Sequence, residues 1–344
     1  MNQTEYFSVK FVSGDPSRKD DHLVFLDQTK LPLKEIYVET DSYERIAEAI
    51  ERLEMRGAPL IGIAAAYALA LSLKKVETDF DKVFHTAYKR LFKTRPTAVN
   101  LFTALNELKE LFENLSNKND AYSILLNKAK EIHRKDVEYC LKMGRNGLSL
   151  FKQKSNVLTH CNTGKLATGG IGTAFAVIKT AFENNLVDQV FADETRPLLQ
   201  GLRLTAYELE KSGIPFSVQT DSSAAELMKQ GKVDLVITGA DRIALNGDSA
   251  NKIGTYSLAI LANFHKIPFY IVAPSTTIDK KIATGEQIKI EYRNKKELFY
   301  FGETLITQND YEAFTPAFDV TPAHLISGII TEEGTFTFPY NFIQ

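Results

Sequence analysis

With 344 residues, 44% of them hydrophobic and 24% charged, the chain is longer than one small core needs, and two domains are expected. The 41 Lys and Arg against 43 Asp and Glu leave no positive field to hold a nucleic-acid backbone or an acidic membrane surface. Two cysteines, Cys140 and Cys161, are too few for a disulfide framework or a four-thiolate zinc site.

The opening MNQTEYFSVK has no apolar core of a secretion signal, so a reducing cytoplasm is the expected compartment. From Glu5 to Glu39 the β-rich pieces YFSVKFV, HLVFLDQ and EIYVET, separated by Asp, Pro and Lys clusters, predict a small antiparallel sheet. From Asp41 the apolar residues recur three and four apart: in YERIAEAIERLEM, the Ala-rich run after Pro59, FDKVFHTAYKRLF, AVNLFTALNELKELFENL and the stretch Asp120 to Phe151. That spacing predicts helices. Gly57 to Leu73 is uncharged but dominated by Ala and Gly, where a bilayer span wants about 20 strongly apolar residues. It reads as a buried, close-packed helix.

After Lys154, short apolar runs (VLTH, QVFA, FSVQT, DLVITG, PFYIVA) alternate with helical patterns (GTAFAVIKTAFENN, LQGLRLTAYELEKSG, AAELMKQG, NKIGTYSLAILANFHK). This alternation predicts an α/β fold with a parallel sheet covered on both faces. The change of pattern divides the chain into 1–151, a small sheet with a helical bundle, and 152–344, the parallel-sheet domain.

Ligands of an open parallel sheet bind outside the carboxyl ends of its strands. The residues expected there are Cys161 to Gly164, Asp193 to Arg196, Asp221, Asp241 and Arg242. Cys161, in a loop beside Asn, Thr and Gly, is a candidate for chemistry, with an inert core thiol as the alternative. Cys140, at helical spacing, reads as structural. Asp241 follows an apolar run, so desolvation would fit it as an acid, while an ion pair with Arg242 or a cap is the plainer reading. The glycines at 164, 169, 170 and 172 match neither a dinucleotide fingerprint nor a triphosphate loop, leaving a small-phosphate or sugar site, or tight helix packing. Lys252 is expected in the first turn of a helix after Asp248 and Asn251, where a phosphate would offset its charge. Arg56 and Arg95 each precede a helix start, in RGAP and TRPT, and suit a phosphate or sugar hydroxyl as well as a surface ion pair. The six histidines form no H-x-x-x-H pair, so no metal site is expected, and no G-x-S-x-G elbow marks a serine hydrolase.

LDQTKLP, MRGAPLIGIAAAYALAL, RPTAVNLF, THCNTGKLAT, DETRPLLQGLRLTAYEL, GADRIALNGDSANKIGTY, PFYIVAP and PAFDVTP together resemble the S-methyl-5-thioribose-1-phosphate isomerases, the aldose–ketose isomerases of methionine salvage. The resemblance runs from Leu26 to Pro322. It implies Cys161 and Asp241 as the catalytic pair, and Arg56, Gly57, Ala58, Arg95, Gln200, Asn251 and Lys252 as substrate contacts. It also implies a Rossmann-like carboxyl-terminal domain, a homodimer, a phosphorylated pentose as substrate, and no cofactor or metal. Asp221-Ser222-Ser223-Ala224-Ala225 departs from the family's DNMAA-like segment, Pro274 to Asp279 from its PLSTID-like one, and Lys165 is unusual. Those departures leave open 5-deoxyribose 1-phosphate or ribose 1,5-bisphosphate as the sugar. The same fold occurs in the regulatory subunits of the exchange factor for initiation factor 2, which bind partners without this chemistry.

Overall fold

A computed structural model describes residues 6–14, 20–95 and 99–342. Pro96 and Thr97 of the TRPT motif lie outside them. The chain forms two compact units, 1–140 with 164–172, and 141–163 with 173–344. This differs from a single boundary at residue 152. Residues 141–151 group with the sheet because Gly144 and Gly147 let the chain approach Thr180 and Val177, where a Cβ would come within 2.5 and 2.4 Å.

The helical unit opens with β1 (Val9–Val12), β2 (His22–Leu26) and β3 (Tyr37–Thr40), an antiparallel sheet in that order. Its helices are α1 (Tyr43–Glu51), α2 (Ala58–Leu71), α3 (Phe80–Phe92), α4 (Val99–Glu113) and most of α5 (Ala121–Asn146). Helix α2 is buried on all sides apart from Pro59 at its start, as its charge-free Ala-rich sequence requires. A Cβ at Gly62 would stand 2.8 Å from the Asn100 carbonyl oxygen, so this glycine sets how closely α2 and α4 approach. Phe84 and Phe112 stack at 3.9 Å in the same core, each burial contributing about 1.5–3 kcal/mol. No helix among the described residues is long and apolar enough to cross a membrane.

Residues 164–172 pack into this unit. Ser8 Oγ donates to the Thr168 carbonyl at 2.8 Å and Gln28 Nε2 to that of Leu166 at 2.7 Å. Cβ atoms on Gly169 and Gly170 would strike His133 at 2.5 Å and Cys140 at 3.0 Å. These two glycines therefore serve helix packing, and the small-phosphate reading of the glycine loop is not what their surroundings favour. Cys140 is fully buried, and burial pushes its thiol well above the ordinary range.

His133 gives this packing a pH dependence. The Gly169 carbonyl can only accept from Nε2, at 3.3 Å, which leaves Nδ1 to accept from the Tyr67 hydroxyl at 3.2 Å. The ring is neutral, and burial lowers its pKa against the smaller upward pull of that carbonyl. The unfolded chain therefore takes the proton first, and stability falls as pH drops below about 6.5 until the native ring also titrates. Between pH 7.5 and 5.5 the wild-type Tm should fall further than that of His133→Asn. Parallel falls in the two proteins would clear His133.

The second unit is built on β4 (Ser155–Thr159), α6 (Ala174–Glu183), β5 (Val187–Asp193), α7 (Ala206–Lys211), β6 (Phe216–Gln219), α8 (Ala224–Lys229) and β7 (Leu235–Thr238). A side sheet interrupts the alternation with β8 (Arg242–Ala244) and β9 (Ser249–Lys252), before α9 (Thr255–Phe264), β10 (Phe269–Val272) and β11 (Ile278–Asp279). The remainder comprises α10 (Lys296–Phe299), the hairpin β12 (Tyr300–Phe301) and β13 (Thr304–Leu305), then β14 (Phe318–Thr321), β15 (Gly328–Thr331) and β16 (Gly334–Phe336). The main sheet runs β16-β15-β10-β7-β4-β5-β6, parallel except for the antiparallel edge strand β16. From β4 the chain moves outward through β5 and β6, then returns to the other side of β4 for β7, β10 and β15. The order therefore reverses between β4 and β7, which is where an open α/β sheet leaves a ligand crevice.

Candidate active site

Cys161 and Asp241 stand on the two sides of that reversal. Val157 pairs with Leu235 and Leu158 with Val236, and Thr159 Oγ1 donates to the Ile237 carbonyl at 2.8 Å. Cys161 follows the carboxyl end of β4 and Asp241 that of β7, so adjacent strands deliver both to one edge.

The Cys161 backbone is held in a left-handed conformation, φ 64°, which a non-glycine residue adopts only when its surroundings demand it. The demand is visible. Its N–H donates to Thr195 Oγ1 at 2.9 Å and its carbonyl accepts from Thr205 Oγ1 at 2.5 Å. Thr195 is itself left-handed, φ 64°, a costlier state for a β-branched residue, and its N–H is fixed by Asp221 Oδ1 at 2.7 Å. Gln200 follows in the same loop, 95% buried, with no hydrogen-bond partner for Oε1 among the described residues. A π-helical turn, Gly201–Thr205, comes next and aims Thr205 at Cys161.

Asp241 is half-buried, not enclosed in the poorly hydrated cleft expected of it. Its N–H donates to the Ala250 carbonyl at 2.8 Å, tying it to the β8–β9 pair. The neighbouring Arg242 faces Asp279 at 3.8 Å. Asn251, on β9, is buried and donates to Thr255 Oγ1 at 3.0 Å.

Lys252 is also on β9, not in a first helical turn. Its Nζ donates to the Ala317 carbonyl at 3.0 Å and sits 4.4 Å from the Phe318 ring centre. Helix α9 begins three residues later, and Asp319 takes the N–H groups of Gly254 and Tyr256 at 2.7 and 3.1 Å. The expected phosphate position at that helix start is thus filled by a carboxylate of the chain itself. Cys161, Gln200, Asp241, Asn251 and Lys252 all belong to the sheet unit.

Arg56, Gly57, Ala58 and Arg95 belong to the helical unit. Gly57, φ 102°, precedes α2, and a Cβ there would lie 2.5 Å from Ala167 Cα. Ala58 and Pro59 start the helix, leaving its first N–H groups to whatever the turn faces. Arg56 and Arg95 are half-buried, Arg56 beside Gly57 and Arg95 past the end of α3.

Sequence reasoning gave His160 no part, although a histidine directly before the strand-end cysteine was the available signal. It is buried, with Nδ1 3.0 Å from Asp193 and Nε2 2.9 Å from the Ile253 carbonyl. His160, Asp193 and Asp221 bring one ligand atom each within 4.8 Å of one another, as a metal site would. Their bonds are already committed: both ring nitrogens face oxygens, and both Asp221 oxygens accept backbone N–H groups, from Thr195 and Arg196, at 2.7 Å. The donor set suits a hydrogen-bond network better than a cation.

A family model described as the Initiation factor 2 subunit family matches residues 54–338. Among curated relatives, the methylthioribose-1-phosphate isomerase of Caldicellulosiruptor saccharolyticus is 49% identical over 326 residues, 94% of this chain and 95% of that one. The crystal structure of 5-methylthioribose 1-phosphate isomerase from Pyrococcus horikoshii superposes with a TM-score of 0.89 at 39% identity, covering 97% of this chain and 93% of that one. A structure titled as the delta subunit of translation initiation factor eIF-2B from A. fulgidus reaches 0.85 at 38% identity, covering 98% and 97%.

Proposed function

The chain belongs to the Initiation factor 2 subunit family, and on that premise we propose that it interconverts S-methyl-5-thio-α-D-ribose 1-phosphate and S-methyl-5-thio-D-ribulose 1-phosphate, an aldose–ketose isomerisation of methionine salvage. The observation that carries this reading to particular residues is the pair Cys161 and Asp241, on adjacent strand ends at the point where the strand order reverses.

The chemistry follows from the substrate. A phosphate on the anomeric carbon blocks simple ring opening, so the bond between C1 and the ring oxygen must break with the phosphate retained. Asp241 supplies the proton to the ring oxygen, which leaves as the C4 hydroxyl. One hydrogen then moves from C2 to C1, and the C2 hydroxyl gives up its proton to become the carbonyl. Cys161 serves C1 and C2, moving the proton or stabilising charge there. Solvent deuterium in C1 of the product identifies a proton route, and its absence a hydride shift. Arg56, Gly57, Ala58, Arg95, Gln200, Asn251 and Lys252 hold the phosphate and the sugar hydroxyls in this reading. No cofactor or metal takes part in it.

Purified protein should convert 5-methylthioribose 1-phosphate without added cofactor, at a higher kcat/KM than 5-deoxyribose 1-phosphate or ribose 1,5-bisphosphate. A tenfold preference for either rival, about 1.4 kcal/mol, overturns the choice of sugar. The likeness to the A. fulgidus translation-factor subunit supports a second reading, a binding subunit. That reading requires no turnover of any sugar 1-phosphate and co-purification with a larger assembly.

The reading includes a cytoplasmic homodimer. Both cysteines are free thiols, which suits a reducing compartment. Tyr256, Ile260 and Phe264, one face of α9 at helical spacing, are exposed and suit a contact between copies.

A further inference from the structure

His160 takes no part in the chemistry derived above, yet several strand-end segments meet on its ring. Nδ1 faces Asp193, the last residue of β5, and Nε2 faces the carbonyl of Ile253, just before α9. A carbonyl can only accept. Burial raises the pKa of Asp193, but the bonds from His160 and from Gln219 Nε2, at 2.9 Å, pull it back toward the ionised form. A ring that satisfies that carboxylate and the carbonyl together donates from both nitrogens as an imidazolium. The charged groups facing it are Asp193, Asp221 with Oδ1 at 4.0 Å, and Asp319 of β14. Burial opposes the charge, but the Asp193 and Asp221 carboxylates and the Ile253 carbonyl outweigh it, and the pKa of His160 moves up. Gly254, φ 104°, leaves the ring its room, since a Cβ there would stand 2.9 Å from Cε1.

We propose that protonated His160 is a positioning residue for Cys161: its two donated bonds tie the ends of β4 and β5 to the start of α9, and so hold the next residue's backbone in its left-handed state. The inference rests on the reading of Cys161 as the residue that serves C1 and C2. Removing the charge releases the loop without removing any substrate contact, so the effect belongs in kcat and not in KM.

The test uses the full-length enzyme labelled with 15N-histidine. At pH 7.5 the His160 signals, assigned by their loss in His160→Asn, should show two protonated ring nitrogens. His160→Asn should lower kcat by about a hundredfold with KM changed less than about threefold. Asp193→Asn, which removes the main counter-charge, should lower the ring's pKa and give kcat a decline with rising pH that the wild type lacks. A variant with a merely structural defect would show no such limb. This second variant also carries the test if His160→Asn does not fold. A bare ring nitrogen in the wild type at pH 7.5, or a folded His160→Asn with unchanged kcat, overturns the proposal. Failure of the isomerase reading shows differently, as absent wild-type turnover with the ring still doubly protonated.

Discussion

Cys161→Ser and Asp241→Asn should each lower kcat by about a hundredfold or more, the scale of a lost general acid or base. The first substitution keeps the shape and raises the side chain's pKa by several units relative to a thiol, while the second keeps the shape and removes the titrating proton. Neither removes a packing group from a core. Cys161 is anchored through its backbone, by Thr195 and Thr205, and Asp241 through its N–H to Ala250, so both variants retain those bonds and should keep the wild-type Tm. Because either loss stops the same passage, the double variant should be scarcely slower than the poorer single one. Steady-state kinetics on the three variants decides the matter. Additive losses would place the two residues in separate steps, and near-normal kcat in a single variant would return that residue to a structural role.

Gly57→Ala should be the most damaging substitution of a single small group outside the sheet unit. At φ 102° and ψ 131° the backbone lies where only glycine sits without strain, a cost of about 1–3 kcal/mol for alanine. The new methyl would also meet Ala167 backbone and side-chain atoms at 2.5–2.7 Å, and forcing atoms into a packed site costs about 1–3 kcal/mol more. The sum is a large part of the roughly 5–15 kcal/mol that holds a typical protein folded. Urea denaturation should show the midpoint falling steeply, and KM should rise because Arg56 and Ala58 flank the displaced turn. A midpoint within experimental error of wild type would mean that residues 164–172 yield easily, and would weaken the case that they are firmly packed.

Five strands of the main sheet, β4, β5, β6, β7 and β10, were legible from short apolar stretches alternating with helical patterns, while β15 and the short edge strand β16 went unread, and α2 was legible because its composition leaves no polar face. The side sheet was not. β8 and β9 carry Arg242, Ser249, Asn251 and Lys252, whose polarity reads as loop or helix start, and their outer partners, β11 beside β8 and β14 beside β9, lie further along the chain. That pairing moved Lys252 from a helix to a strand. Strand-end logic picked out Cys161 and Asp241 as candidates, and the structure puts both after adjacent strands, because loops after parallel strands collect on one edge whatever their sequence. It could not find the ring of His160, since a buried network is defined by which distant loops meet. Asp319, which fills the start of α9, was hidden for the same reason.

The stretch 164–172 follows Cys161 in sequence but packs into the helical unit. In synthesis, this means that the helical unit cannot finish folding when its own last helix leaves the ribosome. It waits until β4 and the cysteine loop have been made, by which time the first strand of the second unit is already outside. Neither unit is one continuous stretch of coding sequence, so neither could be gained, lost or exchanged by a single cut in the gene.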